Sequence, residues 1–148
     1  MNQFLEKLAK EIFSACGFTI HKKGSPRTTL AEVLDHISNL GFRPQTVIDV
    51  GVAYGTFELH EKFPDSKHLL IEPLKEFEVV LKRICDRYNG DYVLAVASEK
   101  PGTAVINVHR GLSGSSLFKE AEGSHIDGIP RKVPALTIHG LCNVRNFG

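Results

Sequence analysis

An aspartate and two glycines at the end of a predicted buried strand are the residues most able to form a ligand site. Thr46 to Val50 is a β-branched run typical of a parallel strand, and Gly51 to Gly55 follows it before a helical stretch from about Thr56 to Phe63. A ligand at the end of such a strand approaches the main chain closely. A Cβ at Gly51 or Gly55 would obstruct that approach or forbid a positive φ.

Glu72 supplies a second polar group. It closes the next predicted strand, Leu69 to Ile71, about twenty residues further on, where an acidic side chain can accept hydrogen bonds from both hydroxyls of a ribose. Taken singly, Gly55 also fits a tight helix start and Glu72 an exposed charge at a strand end. Their joint placement on consecutive strands predicts one site.

The form of the loop decides between cofactors. Dinucleotide-binding loops usually read Gly-x-Gly-x-x-Gly, and their middle glycine admits a pyrophosphate to the helix N-terminus. Here the middle position is Ala53, with Asp49 before the loop. This form favours a cofactor without phosphate, and an acidic strand end is compatible with the cationic amino-acid portion of S-adenosylmethionine. A dinucleotide-dependent oxidoreductase stays open as an alternative.

From about residue 41 onward the chain resembles the FkbM-type S-adenosylmethionine-dependent methyltransferases. The segments that carry the resemblance are Thr46 to Thr56, Phe63-Pro64-Asp65, Leu70 to Leu74, Ile106 to His109 and Gly114 to Leu117. The resemblance implies O-methylation of a hydroxyl group on a sugar or secondary metabolite, so that the expected partner is a small-molecule or carbohydrate acceptor.

The resemblance also implies roles for individual residues. Asp49, Gly51 and Gly55 would shape the pocket for the methionyl end, Tyr54 would line it, and Glu72 would bind the ribose. The expected cofactor-binding residues are Asp49, Gly51, Ala53, Tyr54, Gly55, Glu72, Ala97 and Ser98, the last two near the adenine. On the acceptor side stand Ser113, Ser115 and Ser116, although a flexible surface turn explains these serines equally well.

The order of the predicted elements indicates an α/β fold. Strands over Thr46–Val50, Leu69–Ile71 and Tyr92–Ala97 alternate with helices over about Thr56–Phe63 and Lys75–Tyr88, as in half of a doubly wound sheet. We therefore expect a Rossmann-like sheet of the class I methyltransferase type. Two later strands are predicted at Thr103–Val108, with one face exposed, and at Lys132–Ile138, at a sheet edge where proline is tolerated.

Residues 1–40 are expected to form a helical segment that packs on this core, and residues 41–148 a partial methyltransferase domain. An amphipathic helix near the N-terminus precedes an exposed connection over 22–27. A second helix has the capping-box pair Thr29 and Glu32, an apolar stripe, and Gly41 as its end.

The chain departs from the family pattern near Gly148. Beyond the segment Val133 to Cys142 the family has a further strand with an Asp and a downstream Glu-Gly pair, whereas this chain ends at Gly148. We expect the sheet to be incomplete, with the first strand lacking its inner neighbour. The alternative function is therefore a truncated, non-catalytic remnant or interaction module.

Composition argues against several other classes. The formal charge of +1 gives no basic field for nucleic acid, and no apolar run reaches the roughly 20 residues of a membrane span. Three scattered cysteines are interpreted as reduced thiols, and a cytoplasmic location is expected. No metal-ligand spacing is present, so no metal site is predicted. His109, His125 and His139 are candidate general bases, each more simply explained as a solvated or structural side chain.

Overall fold

A computed structural model describes residues 3–17, 29–118 and 128–145 of the chain. The predicted connection 22–27 and His125 lie outside the described residues. In chain order the elements are α1 (Gln3–Ala15), α2 (Leu30–Asn39), β1 (Thr46–Val50), α3 (Phe57–Lys62), β2 (Lys67–Ile71), a 3-10 turn (Lys75–Phe77), α4 (Glu78–Arg87), β3 (Gly90–Val93), β4 (Val96–Ala97), β5 (Gly102–Val108), β6 (Ile129–Leu136) and α5 (Ile138–Arg145).

The first sheet contains three parallel strands in the order β1-β2-β3. Thr46 to Val50 pairs in register with Lys67 to Ile71, and His68 to Ile71 pairs with Gly90 to Val93. Helices α3 and α4 connect these strands, as parallel pairing requires. The structure therefore confirms the α/β class and the predicted order of strand, helix, strand, helix, strand.

Both faces of β2 are covered, which explains its continuous apolar run. On one face Leu70 packs with Leu81 and Ile84 of α4. On the other face Leu69 and Ile71 pack with Leu141 of α5. A strand buried on both faces needs no polar alternation.

The second sheet has the order β4-β6-β5 and corrects two sequence predictions. The predicted third strand, Tyr92–Ala97, is wrong as one strand, because it divides into β3 in the first sheet and β4 in the second. The prediction that the strand over Lys132–Ile138 lies at a sheet edge is also wrong, because β6 lies between β4 and β5. Its prolines are still tolerated: β4 pairs only with Ala135 and Leu136, so Pro130 and Pro134 face a strand on one side alone among the described residues.

Strand β5 also departs from its predicted alternation. Ile106, Asn107 and Val108 are buried in succession, because the end of β5 is covered on both faces. Ile106 and Val108 join Leu74 and Phe77 in one core cluster. This cluster ties the second sheet to the turn that follows β2.

The two N-terminal helices differ in their packing. The predicted capping box of α2 is confirmed, since Thr29 and Glu32 exchange both hydrogen bonds, and Leu34 packs with Val47 and Phe63. Leu8 and Phe13 of α1 are exposed instead. Docking of the whole 1–40 segment on the core therefore stays a prediction.

We expect Leu81→Ala to destabilise the protein by about 2–5 kcal/mol, because it empties a fully buried position between α4 and the first sheet. Val79→Ala is the control on the same helix: Val79 is 69% exposed, and its loss should change the free energy of unfolding by less than about 0.5 kcal/mol. Urea denaturation of both variants checks this. Equal effects would contradict the packing of α4.

The cysteines should differ in reactivity. Burial raises the pKa of the Cys85 thiol to about 11, with Asp91 and Asp86 adding to the effect, whereas Cys16 is exposed. Since the thiolate is the reactive form, iodoacetamide at about pH 8 should modify Cys16 first and Cys85 at least roughly tenfold more slowly. Mass spectrometry of timed samples measures both rates. Similar rates in the folded chain would contradict the burial of Cys85.

Candidate functional site

The ends of β1 and β2 meet at one edge of the first sheet. Val50 pairs with Ile71, and the Gly51 N–H continues the ladder by donating to the Ile71 carbonyl at 2.8 Å. The predicted glycine loop and the predicted carboxylate therefore lie side by side. This edge is where ligands of open α/β sheets usually bind.

Glu72 joins the loop after β1 to the turn after β2. Its Oε2 accepts a hydrogen bond from the Ala53 N–H and its Oε1 accepts one from the Leu74 N–H, both at 2.9 Å. The residue is only 3% exposed, so these bonds satisfy a buried carboxylate. Each carboxylate oxygen keeps a second lone pair that can accept a further hydrogen bond.

The loop has three residues with positive φ. Gly51 has φ +79°, Ala53 φ +45° and Gly55 φ +103°. A Cβ at Gly55 would approach the Phe57 ring to 2.9 Å, so a glycine is required there by both backbone angle and space. Ala53 is the one residue of these three that has a Cβ, and its bond to Glu72 offsets the cost of the left-handed conformation.

Three of the five N–H groups between Gly51 and Gly55 are used within the protein. The Gly51 N–H donates to the Ile71 carbonyl, the Ala53 N–H donates to Glu72, and the Gly55 N–H donates to the Val52 carbonyl at 2.7 Å. None of these three points free for a phosphate. The bond from Gly55 to Val52 closes the loop, and the other two join it to Ile71 and Glu72.

Tyr54 is the exposed side chain of the loop. It keeps 60% of its surface, and its ring meets Phe77 edge to face with centroids 5.0 Å apart. Phe77 itself is buried in the core cluster that contains Leu74. The Tyr54 ring therefore contacts Phe77 on one side and leaves more than half of its surface exposed.

Asp49 is connected to two buried histidines that sequence reasoning missed. Its Oδ2 lies 3.3 Å from Nε2 of His60, within ion-pair range but without hydrogen-bond alignment. Nδ1 of His60 lies 3.0 Å from Nδ1 of His68, and Nε2 of His68 lies 3.0 Å from the Phe63 carbonyl. His60 lies in α3 and His68 near the start of β2, and no local spacing pattern in the sequence connects the two.

The predicted adenine-side residues are placed differently from expectation. Ala97 lies on β4, and the Ser98 N–H donates to the Leu136 carbonyl at 2.9 Å. Both belong to the second sheet rather than to the tip of a third parallel strand. The expected position is corrected because the chain leaves the first sheet after Val93.

The turn that contains Ser113, Ser115 and Ser116 is stabilised by serine side chains. The Ser115 hydroxyl donates to the Leu112 carbonyl at 2.6 Å and accepts from the His109 N–H at 3.1 Å. The Ser116 hydroxyl accepts from the Phe118 N–H. Two of the three predicted acceptor-side serines thus hold the turn together, while Ser113 is exposed.

A surface cavity of about 760 Å³ lies beside this turn. Its lining includes His109, Arg110 and Ser113 from the turn and Arg131 from β6. Arg131 makes two hydrogen bonds to Glu76, at 2.7 and 2.9 Å. Of the candidate bases, His109 lines the cavity, whereas His139 is exposed on α5 beside Asn143.

Residues 3–17, 29–118 and 128–145 contain no group of three or more His, Cys, Asp or Glu side chains able to bind a metal ion. No helix in these ranges has the length and apolar character needed to cross a bilayer.

Comparison of the chain with protein-family models, with curated proteins and with solved structures finds no match.

We expect Glu72→Gln to lower the free energy of unfolding by about 1–3 kcal/mol. The reason is that the glutamine NH₂ group replaces one of the two carboxylate oxygens and cannot accept from the Ala53 or Leu74 N–H group. Glu76→Gln, which removes an ion pair at a partly exposed site, should cost less than about 1 kcal/mol. Urea denaturation compares the two. If Glu72→Gln lost no more free energy of unfolding than Glu76→Gln, the two hydrogen bonds to Glu72 would not stabilise the loop.

Proposed function

We propose that the chain binds S-adenosylmethionine at the joined ends of β1 and β2 and acts as an O-methyltransferase of the FkbM type. The observation that carries the proposal is the pair of bonds from the Ala53 and Leu74 N–H groups to Glu72, which fixes a carboxylate beside a glycine-bounded loop. The proposal also takes the three parallel strands as part of a Rossmann-like, doubly wound sheet.

The residues at this edge fit an adenosyl cofactor. The second lone pairs of Glu72 can accept the two ribose hydroxyls. Asp49 keeps 10% of its side-chain surface exposed and can attract the ammonium group of the methionyl end. The free surface of the Tyr54 ring offers an apolar wall.

The closed loop disfavours the dinucleotide alternative. A pyrophosphate needs free N–H groups at the loop and helix N-terminus, but Gly51, Ala53 and Gly55 all donate within the protein. The use of these N–H groups within the protein supports a cofactor without phosphate.

When bound, S-adenosylmethionine supplies an electrophilic methyl group. The chain's own contribution would be to align an acceptor hydroxyl with that group and to exclude water. The cavity beside Ser113 is the proposed acceptor side, and His109 on its wall is the proposed group for taking the hydroxyl proton. The proposed acceptor is a small molecule or carbohydrate.

A second candidate function is an interaction module without catalysis. Within the described part of the chain, β1 pairs with β2 alone, and Val50 at its end is half exposed. A strand with one open side can pair with a strand from another chain. Methyl transfer to any acceptor by the purified chain would remove this candidate.

Titration calorimetry with S-adenosylhomocysteine and with NAD tests the proposal. We expect the first ligand to bind and to raise the melting temperature, and NAD to do neither. Folded protein that binds no adenosyl ligand would reject the proposed function, and binding of NAD alone would favour the oxidoreductase.

Two variants make the calorimetry specific for the site. Glu72→Gln should weaken S-adenosylhomocysteine at least about tenfold, because a charged acceptor of the ribose hydroxyls becomes neutral. Glu76→Gln should bind like the parent protein, since the Glu76 carboxylate pairs with Arg131 rather than with the loop. Equal affinities of both variants would place the ligand elsewhere.

A further inference from the structure

Asp49, His60 and His68 form one continuous line of polar atoms beneath the first sheet. Val47 pairs with His68, so Asp49 and His68 project from the same face of their strands, and α3 places His60 over both. Both imidazoles are fully buried, with 0% exposure. The line ends at the Phe63 carbonyl.

Two hydrogen bonds and one ion-pair contact make up this line. A carbonyl oxygen only accepts, so Nε2 of His68 must carry a hydrogen. The bond between the two Nδ1 atoms needs a second hydrogen, and the 3.3 Å approach of Nε2 of His60 to Oδ2 of Asp49 is attractive only if that nitrogen carries a third. Two neutral imidazoles and a carboxylate carry only two, so the line holds one hydrogen more.

Without the additional hydrogen, two lone pairs would face each other in a buried place. The Asp49 Oδ2 and His60 Nε2 atoms are both shielded from solvent, and neither has a hydrogen-bond partner. Each is therefore neutralised only by its contact with the other. An unneutralised carboxylate is costly there. The extra proton makes the group of three electrically neutral, which reduces the cost of its burial.

The surroundings locate the proton. The Asp49 carboxylate lies against His60, so the positive charge is assigned to that ring. In agreement with this, burial lowers the pKa of His68, an effect that His60 reinforces and that the Phe63 carbonyl and Asp49 oppose. Besides each other and Asp49, the rings face Tyr88 at the end of α4, with centroids 5.8 and 5.6 Å away. Arg87 lies outside Tyr88 and pairs with Glu61, on the exposed side.

We propose that His60 is an imidazolium that donates Nδ1–H to His68 and holds its positive charge within ion-pair distance of Asp49, and that this pair of histidines positions the Asp49 carboxylate at the ligand edge. His60 and His68 are positioning residues in this account. The consequence for a ligand rests on the proposed function: an ammonium group arriving at Asp49 competes with the imidazolium, so that binding releases a proton.

The proton can be seen without any ligand. Long-range hydrogen–nitrogen NMR spectra of the ¹⁵N-labelled chain, recorded at about pH 6, distinguish ring nitrogens with and without hydrogen. We expect both nitrogens of His60 and only Nε2 of His68 to carry hydrogen. His60→Gln and His68→Gln assign the signals. A hydrogen-free Nε2 on either histidine would overturn the proposal.

Calorimetry supplies the second readout. The enthalpy of S-adenosylhomocysteine binding, measured at the same pH in buffers of different ionisation enthalpy, should report release of about one proton. His60→Gln keeps a donor for Asp49 without a titrating proton and should release none, while His139→Gln on α5 should match the parent protein. Binding by the parent with no proton release would overturn the coupling to Asp49.

The two measurements separate the proposals. If the NMR pattern is as expected but no adenosyl ligand binds, the proposed function fails while the proton on His60 stands. If the ligand binds but His60 lacks its second hydrogen, the positioning role fails alone.

Discussion

Two hydrogen bonds to one buried carboxylate hold the candidate site together. By accepting from the Ala53 and Leu74 N–H groups, Glu72 joins the loop after β1 to the turn after β2. Leu74 belongs to the core cluster of the second sheet, and Ala53 packs against the same cluster. The bonds of Glu72 therefore connect the edge of the first sheet to the packing of the second.

Both acidic residues of the site are fixed from inside the protein. Glu72 is held by backbone N–H groups, and Asp49 is approached by a histidine from beneath the sheet. A carboxylate fixed before a ligand arrives loses less entropy on binding. This arrangement suits a ligand that presents hydroxyls to one carboxylate and a cation to the other.

The sequence was sufficient for features that depend on neighbouring residues. The capping box of Thr29 and Glu32, the buried run of β2 and the positive φ of Gly41, Gly51 and Gly55 follow from local chemistry, and the structure confirms them. The adjacency of the loop and Glu72 was also predictable, because parallel strands end at one edge.

Features that depend on distant contacts were not predictable. Nothing local to Val93 and Val96 indicates that the chain changes sheet between them, and β6 becomes central only because β4 pairs with its last two residues. His60 and His68 were missed for the same reason: each is unremarkable in its own segment, and their meaning arises only when α3 places one ring beside the other.

Amide hydrogen exchange of the unmodified protein tests the tether by Glu72 most directly. The Ala53 and Leu74 amides should exchange slowly and with similar protection, because the same carboxylate accepts both bonds in a buried position. Exchange of either amide at the rate of an unstructured loop would contradict the account, since the loop would then not be joined to the turn after β2.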